Sequence, residues 1–303
     1  MRRILTALIL TIGLGFFSHP VVTIAAMDYD AYEAEAEVNV NGHFIQMDVH
    51  PVRDKNHLFI PIRTLESLGL TYSWNPSSQT TTIQSMEKER VKMEVEVGSK
   101  VAFINGIDKQ MDAPAQIKNG RVLVPIRFVS ENLGYHVNYE TIRNIVFLTA
   151  NAYKFDVSVL SQKDLQAARK AAISLPLEAS FKMLGFSTKA LHNYTFPAGR
   201  ADMYLFNDSY TSSIVEIKDG KAVVRGQFVY GARSDFAYTA GNITDLADPV
   251  LRPLFEDNVN YSKNLNGTTS TYYTDDEGNP KRFSSSNSIK TYSDIIQKLP
   301  INK

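Results

Sequence analysis

The sequence contains no cysteine, which excludes disulfides, thiolate nucleophiles, cysteine-ligated zinc and the lipidated cysteine of a bacterial lipoprotein. Net charge is lacking too: 32 Lys plus Arg balance 32 Asp plus Glu. No broad field is therefore available to gather nucleic acid or anionic lipid. Beyond Phe17 no apolar run approaches the about 20 residues needed to span a bilayer. There is no Gly-x-Ser-x-Gly, no His-Glu-x-x-His, no phosphate-binding glycine loop and no dinucleotide fingerprint. At 44% hydrophobic residues, the chain nevertheless has enough apolar surface to build a globular interior.

The N-terminus carries Arg2 and Arg3, an apolar run from Ile4 to Phe17, and small residues ending Ala25-Ala26. This order predicts a secretory signal over residues 1–26, followed by an acidic, Ala- and Tyr-containing leader over 27–36. The expected product is secreted or envelope-associated, with no membrane span after cleavage. An exported chain without cysteine fits a Gram-positive envelope. Asn-x-Ser/Thr sites, among them those starting at Asn193, Asn207, Asn242 and Asn266, matter only in a eukaryotic secretory pathway.

What the chain does have is a repeat. Val38 to Gly42 returns as Val101 to Gly106, Ile60-Pro61-Ile62-Arg63 as Val124-Pro125-Ile126-Arg127, and Leu68-Gly69 with Trp74 as Leu133-Gly134 with Tyr139. The offset is 64 residues through the Pro-Ile-Arg element and 65 after it, because copy one is one residue shorter between Arg63 and Gly69. Such a period marks a duplicated supersecondary unit. Asn41-Gly42 and Asn105-Gly106 predict tight hairpins. Pro61 and Pro125 suit the first turn of a short helix, and Gly69 and Gly134 suit its left-handed cap. One copy is too small to bury a core alone, so both copies, over residues 37–150, are expected to share one. The expected form is an antiparallel sheet curved over two short helices, with Val91 to Val97 as a half-buried strand between the copies.

Residues 151–303 predict a second α+β unit. Ser161-x-x-Asp164 resembles a capping motif, and Leu165 through Leu184 predict a helix kinked or split by Pro176 and ended by Gly185. Strands follow, with hairpins at Asp219-Gly220 and Glu277-Gly278, and a closing helix over Ser293–Leu299.

The repeated Val-x-x-Asn-Gly, Val/Ile-Pro-Ile-Arg and Leu-Gly elements resemble the copper amine oxidase N-terminal-like, or stalk, domain of Gram-positive envelope proteins. The resemblance covers about residues 37–150 and implies a non-catalytic module, without copper ligands or a quinone precursor. Copy one departs from the pattern by its missing helix residue and by His57 where copy two is read as Gly120. The C-terminal half carries no resemblance.

Candidate chemistry is sparse. Tyr139 stands where copy one has Trp74, so packing accounts for it. His43, His50, His57, His136 and His192 lack the spacing that makes ligands converge. Ser85-x-x-Lys88 lacks companion motifs, and Asp275 to Asn279 lacks the ligand alternation of a calcium loop. Arg63 and Arg127 are expected to be structural, facing Glu66 and Glu131 along the helix, with a paired anion clamp as the alternative. Tyr204, Phe206, Phe228 and Tyr230 lie on strands whose alternation would send some outward, as sugar- or protein-binding aromatics.

These features predict an α+β, non-enzymatic, exported envelope protein whose stalk module presents a C-terminal binding domain to a wall polymer or surface protein, with no cofactor. The alternative is an envelope-acting hydrolase or transferase, with carboxylates among Asp202, Asp208, Glu216 and Asp235.

Overall fold

The duplicated unit folds by exchanging strands between its copies. The computed structural model describes residues 35–85, 91–184, 191–208, 211–230, 236–243, 249, 251–264, 267–275, 277–285 and 289–299. The predicted signal segment, most of the leader, Lys88, Gly185, Tyr210 and Asp235 lie outside these residues.

Copy one comprises β1 (Glu37–Val40), β2 (His43–Phe44), β3 (Val52–Asp54), β4 (His57–Pro61), a 3-10 helix (Ile62–Leu68), β5 (Leu70–Asn75) and β6 (Thr80–Ser85). The intervening strand is β7 (Lys92–Glu96). Copy two supplies β8 (Val101–Ile104), β9 (Ile107–Gln110), β10 (Gln116–Lys118), β11 (Arg121–Pro125), α1 (Ile126–Asn132), β12 (Tyr135–Glu140) and β13 (Ile145–Ala150). The β3–β4 and β10–β11 turns align Asn56 with Gly120, so His57 matches Arg121 and not Gly120. Both helices are seven residues long, and copy two's extra residue is Leu133, between α1 and Gly134.

Three sheets result, in place of the single antiparallel sheet expected: β12-β13-β1-β2, β5-β6-β7-β8-β9 and β10-β11-β4-β3. The first two each join the closing hairpin of one copy to the opening hairpin of the other. With β7 inserted, β6 and β8 run parallel at one remove; without such a spacer, β13 pairs directly and in parallel with β1. The third sheet pairs Phe59 with Pro125, Ile60 with Val124 and Pro61 with Leu123. Equivalent residues thus contact one another across a local two-fold, as in an isologous interface. One interior receives Val38, Ile60, Leu65, Ile83, Val95, Ile104, Val124, Ile126, Val129 and Leu148 from both copies.

The punctuation residues explain this arrangement. Asn41 and Gly42 have φ of 46° and 80°, and Asn105 and Gly106 have 51° and 82°. Asn41 Oδ1 accepts from Ala150 N at 2.8 Å, and Asn105 Oδ1 from Lys92 N at 2.8 Å, so each turn also latches its neighbouring strand. A Cβ on Gly42 would lie 2.5 Å from the Tyr153 hydroxyl, so this turn needs glycine for space as well as for φ. Pro61 and Pro125 sit one residue before their helices, as N-caps with φ of −60°.

The C-terminal part contains α2 (Leu165–Ile173), β14 (Leu177–Glu178), β15 (His192–Pro197), β16 (Met203–Asn207), β17 (Ser212–Lys218), β18 (Lys221–Tyr230), β19 (Phe236–Gly241), α3 (Arg252–Phe255), β20 (Asn258–Lys263), β21 (Thr269–Thr274) and β22 (Pro280–Ser285). The strands form one sheet in the order β14-β18-β17-β16-β15-β20-β21-β22, with β19 on β18. Both predicted hairpins form, β17–β18 and β21–β22. Asp164 itself caps α2, accepting from Gln166 N and Ala167 N. The helix ends at Ile173 ahead of Pro176, and Leu177 enters a strand, so the expected kinked or split helix does not resume beyond the proline. The closing helix shrinks to a 3-10 turn, Tyr292–Ile295, inside a Thr291/Asp294 capping box. No described helix is long and apolar enough to cross a membrane.

β13 joins the two parts. Val146 and Leu148 enter the interior of the repeat, while Ile145 and Phe147 enter a second core with Tyr194, Phe196, Tyr204, Phe206 and Tyr261. Burial of each such side chain contributes about 1.5–3 kcal/mol. At the β12–β13 turn, Arg143 is 1% exposed. It donates to Glu140 through Nε and an Nη, to Ile173 O at 2.8 Å and to Leu175 O at 2.7 Å. Glu140 in turn accepts from Leu177 N at 2.9 Å. Burial opposes the Arg143 charge, but the Glu140 carboxylate together with Tyr194 and Tyr204 outweighs it and holds the guanidinium pKa well above its ordinary value. Arg143→Ala leaves Glu140 buried and unpaired, and is expected to cost about 3–5 kcal/mol in urea unfolding. The Glu140→Leu/Arg143→Leu pair is expected to cost less than that single change.

His192 lies in the same core, its Nδ1 2.8 Å from the Tyr292 hydroxyl, which is 2.7 Å from that of Tyr194. Burial, then the nearby Lys263 and Arg143 charges, lower its pKa to about 3. The unfolded chain binds the proton from pH 6.5 downward and the native chain does not, so stability falls as pH drops from 6.5 towards 3. The expected slope from this group is about 1.4 kcal/mol per pH unit. Urea midpoints measured between pH 7 and 4.5 should show a shallower loss in His192→Phe.

Candidate binding groove

A concavity lies on the repeat module. It has a volume of about 650 Å³ and is lined by residues including Asp48, His50, Arg53, Lys118, Asn119 and Tyr139. A second, of about 90 Å³, is lined by Asn56, His57, Asp112, Arg127 and others. Arg53, Leu58 and Tyr139 line both, so the two adjoin as one groove. Its walls are set by the repeat. The β3–β4 hairpin brings Arg53, the β10–β11 turn brings Lys118 and Asn119, β12 brings Tyr139, and the start of α1 brings Arg127.

Charge in the groove follows the local two-fold. Asp48 and Asp112 are equivalent, as are Arg121 and His57. Arg121 reaches Asp48 at 2.8 Å, and His57 faces Asp112 at 3.8 Å. Arg63 approaches Asp48 at 3.9 Å, so its partner is this loop carboxylate and not the expected Glu66. The hydrogen bond from Arg121, reinforced by its charge and that of Arg63, holds the Asp48 carboxyl below its ordinary range. Arg127 is exposed and makes no ion pair with a described Glu131. Arg53 stands 5.5 Å over the Tyr139 ring. Tyr139 donates to Asn144 Oδ1 at 2.5 Å, so a wall-forming role joins its packing role. Trp74, its counterpart, is 37% exposed. His50 bridges Glu35 at 3.1 Å and Ala36 O at 3.2 Å, while His43 and His136 are exposed elsewhere. No three described His, Asp or Glu residues are grouped to hold a metal ion.

The aromatic expectation for the C-terminal sheet is corrected. Tyr204, Phe206 and Phe228 are each 0% exposed. The sheet is covered on both faces, by the core under α2 and by Ile243, Leu251 and Leu254 on the other side. Alternation therefore exchanges one core for another instead of reaching solvent. The Tyr230 side chain lies outside the described residues. Among the described residues of this part, the exposed aromatics are Tyr238, Tyr272 and Phe283 on strands and Phe255 on α3.

Of the four candidate carboxylates, Asp202 and Glu216 meet in a cleft of about 340 Å³ with Arg200 and Lys218. Arg200 grips Asp202 at 2.8 and 2.9 Å and keeps its pKa lowered. Glu216 lies 2.5 Å from Lys218 and 3.6 Å from Arg225. Asp208 is buried, accepting from Thr211 N at 2.9 Å, and His192 is enclosed in the core. A general acid needs a raised pKa, which the Arg200 pairing opposes at Asp202.

Arg53 and Lys118 were not singled out in the sequence. Each is an ordinary cation on a short strand, and only the pairing of β4 with β11 places them beside one groove.

The module carrying this groove is thus a two-copy, strand-exchanged β-rich unit. Its residues 39–148 match the family model described as copper amine oxidase N-terminal domain. No curated protein matches the chain.

Removing the Arg121 donor should raise the Asp48 pKa towards the ordinary carboxylate value. An NMR titration of Asp48 in the native chain and in Arg121→Gln measures this directly.

Proposed function

We propose that this is an exported, non-enzymatic protein of a Gram-positive cell envelope, in which the repeat module binds a wall polymer or surface protein through its groove. The C-terminal sheet is carried rigidly on that module. Export is supported by Arg2, Arg3, the Ile4 to Phe17 run and Ala25-Ala26. The observation that carries the binding role is the groove itself, open and lined by cations, amides and a tyrosine ring. The buried state of Tyr204, Phe206 and Phe228 moves that role away from the C-terminal aromatics.

A second reading rests on Asp202 and Glu216 sharing one cleft: an envelope-acting hydrolase or transferase. Ion pairing of both acids makes it the weaker of the two.

Expression in a Gram-positive host, with fractionation, should place a processed chain in the envelope or medium. Purified wall should retain that chain. Arg53→Gln with Lys118→Gln should reduce retention severalfold, whereas Asp202→Asn with Glu216→Gln should leave it unchanged. Release of soluble wall fragments that stops in the Asp202→Asn/Glu216→Gln chain would sink the non-enzymatic reading.

A further inference from the structure

The groove and the side chains paired with its acids carry more positive than negative charge. Arg53, Lys118 and Arg127 all line it, and none of the three pairs with a described carboxylate. Three acids line it as well: Asp48, held by Arg121 and Arg63, and Glu35 and Asp112, which face His50 and His57, imidazoles that are charged only when protonated. Arg63 and Arg121, which do not line the groove, pair with Asp48, so five arginine and lysine side chains accompany three carboxylates and the balance at the groove is positive.

The three cations are strung out, not converged. Lys118 belongs to the larger concavity and Arg127 to the smaller, with Arg53 where they meet. A compact anion is best held by donors that point at one centre. Cations spaced along a groove suit a chain bearing single charges at intervals. Between them lie the Tyr139 ring and the Asn56 and Asn119 amides, which suit the carbon skeleton and hydroxyls of a polyol.

We propose that the groove binds a linear polyol chain joined by phosphodiesters, with successive phosphates meeting Lys118, Arg53 and Arg127. This rests on the reading of the groove as the ligand site. Guanidinium and ammonium groups both pair with phosphate oxygens, and a diester carries one charge whatever its neighbours do. Exposed pairs of this kind are individually weak, so affinity comes from several of them along one chain.

The test titrates the processed full-length chain with a synthetic glycerol-phosphate oligomer, a neutral chito-oligosaccharide and inorganic phosphate, at low and high salt, by calorimetry. NMR shifts at Tyr139 report groove occupancy, and unchanged urea midpoints establish that variants fold. The oligomer should bind, weaken with salt, and shift Tyr139. Arg53→Gln, Lys118→Gln and Arg127→Gln should each weaken it about two- to fivefold, and the triple change should abolish it. Lys221→Gln, a cation paired with Glu178 on the C-terminal sheet, should change nothing. Neutral oligosaccharide binding as tightly, with Tyr139 shifts and indifference to the three charge changes, would overturn the phosphodiester proposal and leave the groove reading intact. Inorganic phosphate binding as tightly as the oligomer would overturn the chain in favour of a single anion. Retention by cell wall with no probe perturbing Tyr139 and no effect of the three charge changes would sink both proposal and groove.

Discussion

The structure depends on β13 being buried on both faces. Four successive side chains, Ile145 to Leu148, divide between the interior shared by the two repeat copies and the core beneath the C-terminal sheet. Such a strand cannot slip by one residue without exchanging the contents of both cores. It also needs partners on both edges, and β12 and β1 provide them. The exchange of strands between copies follows from that demand, since the second partner comes from the opposite end of the repeat. Arg143 sits at the foot of this strand and clasps Ile173 and Leu175, which sets the C-terminal part against the module.

A joint of this kind changes what a stalk-like module can do. A flexible spacer would present the C-terminal sheet at variable distance and angle, but a shared core and a buried ion pair fix it. Lys263 adds a further tie, reaching Glu37 at 3.2 Å from β20 to β1. The buried Tyr194, Tyr292 and His192 chain lies in the same core. Buried polar groups of this sort favour one packing over near alternatives, because any displacement leaves donors without partners. The two parts are consequently one mechanical body.

Duplication also produced the groove's chemistry by making its copies unequal. The two-fold relates Asp48 with Arg121 to Asp112 with His57, yet one pair is a strong ionic hydrogen bond and the other a longer contact to an imidazole. Arg63 is drawn towards Asp48, while its counterpart Arg127 remains open. Divergence at equivalent positions thus turned a symmetric scaffold into a surface with a charge gradient. The central packing stayed equivalent, as the pairing of Ile60 with Val124 shows.

The sequence by itself determined the turns, caps and duplication. Asn-Gly and Asp-Gly pairs set positive φ locally, Pro61 and Pro125 start helices, Gly69 and Gly134 end them, and none of these effects needs a distant contact. Strand alternation likewise marked Met93 and Val95 as inward-facing. Alternation failed at Tyr204, Phe206 and Phe228, because it tells which residues share a face but not whether that face is covered. Only tertiary structure decided that the copies trade hairpins, that the helix does not resume beyond Pro176, and that Arg143 and Glu140 are buried together. The groove belongs to the same class: Lys118 and Arg53 are 65 residues apart in the chain, and long-range pairing of β4 with β11 brings them to one cavity. Local chemistry is legible residue by residue, whereas the meeting of distant surfaces depends on the free energy of the whole core.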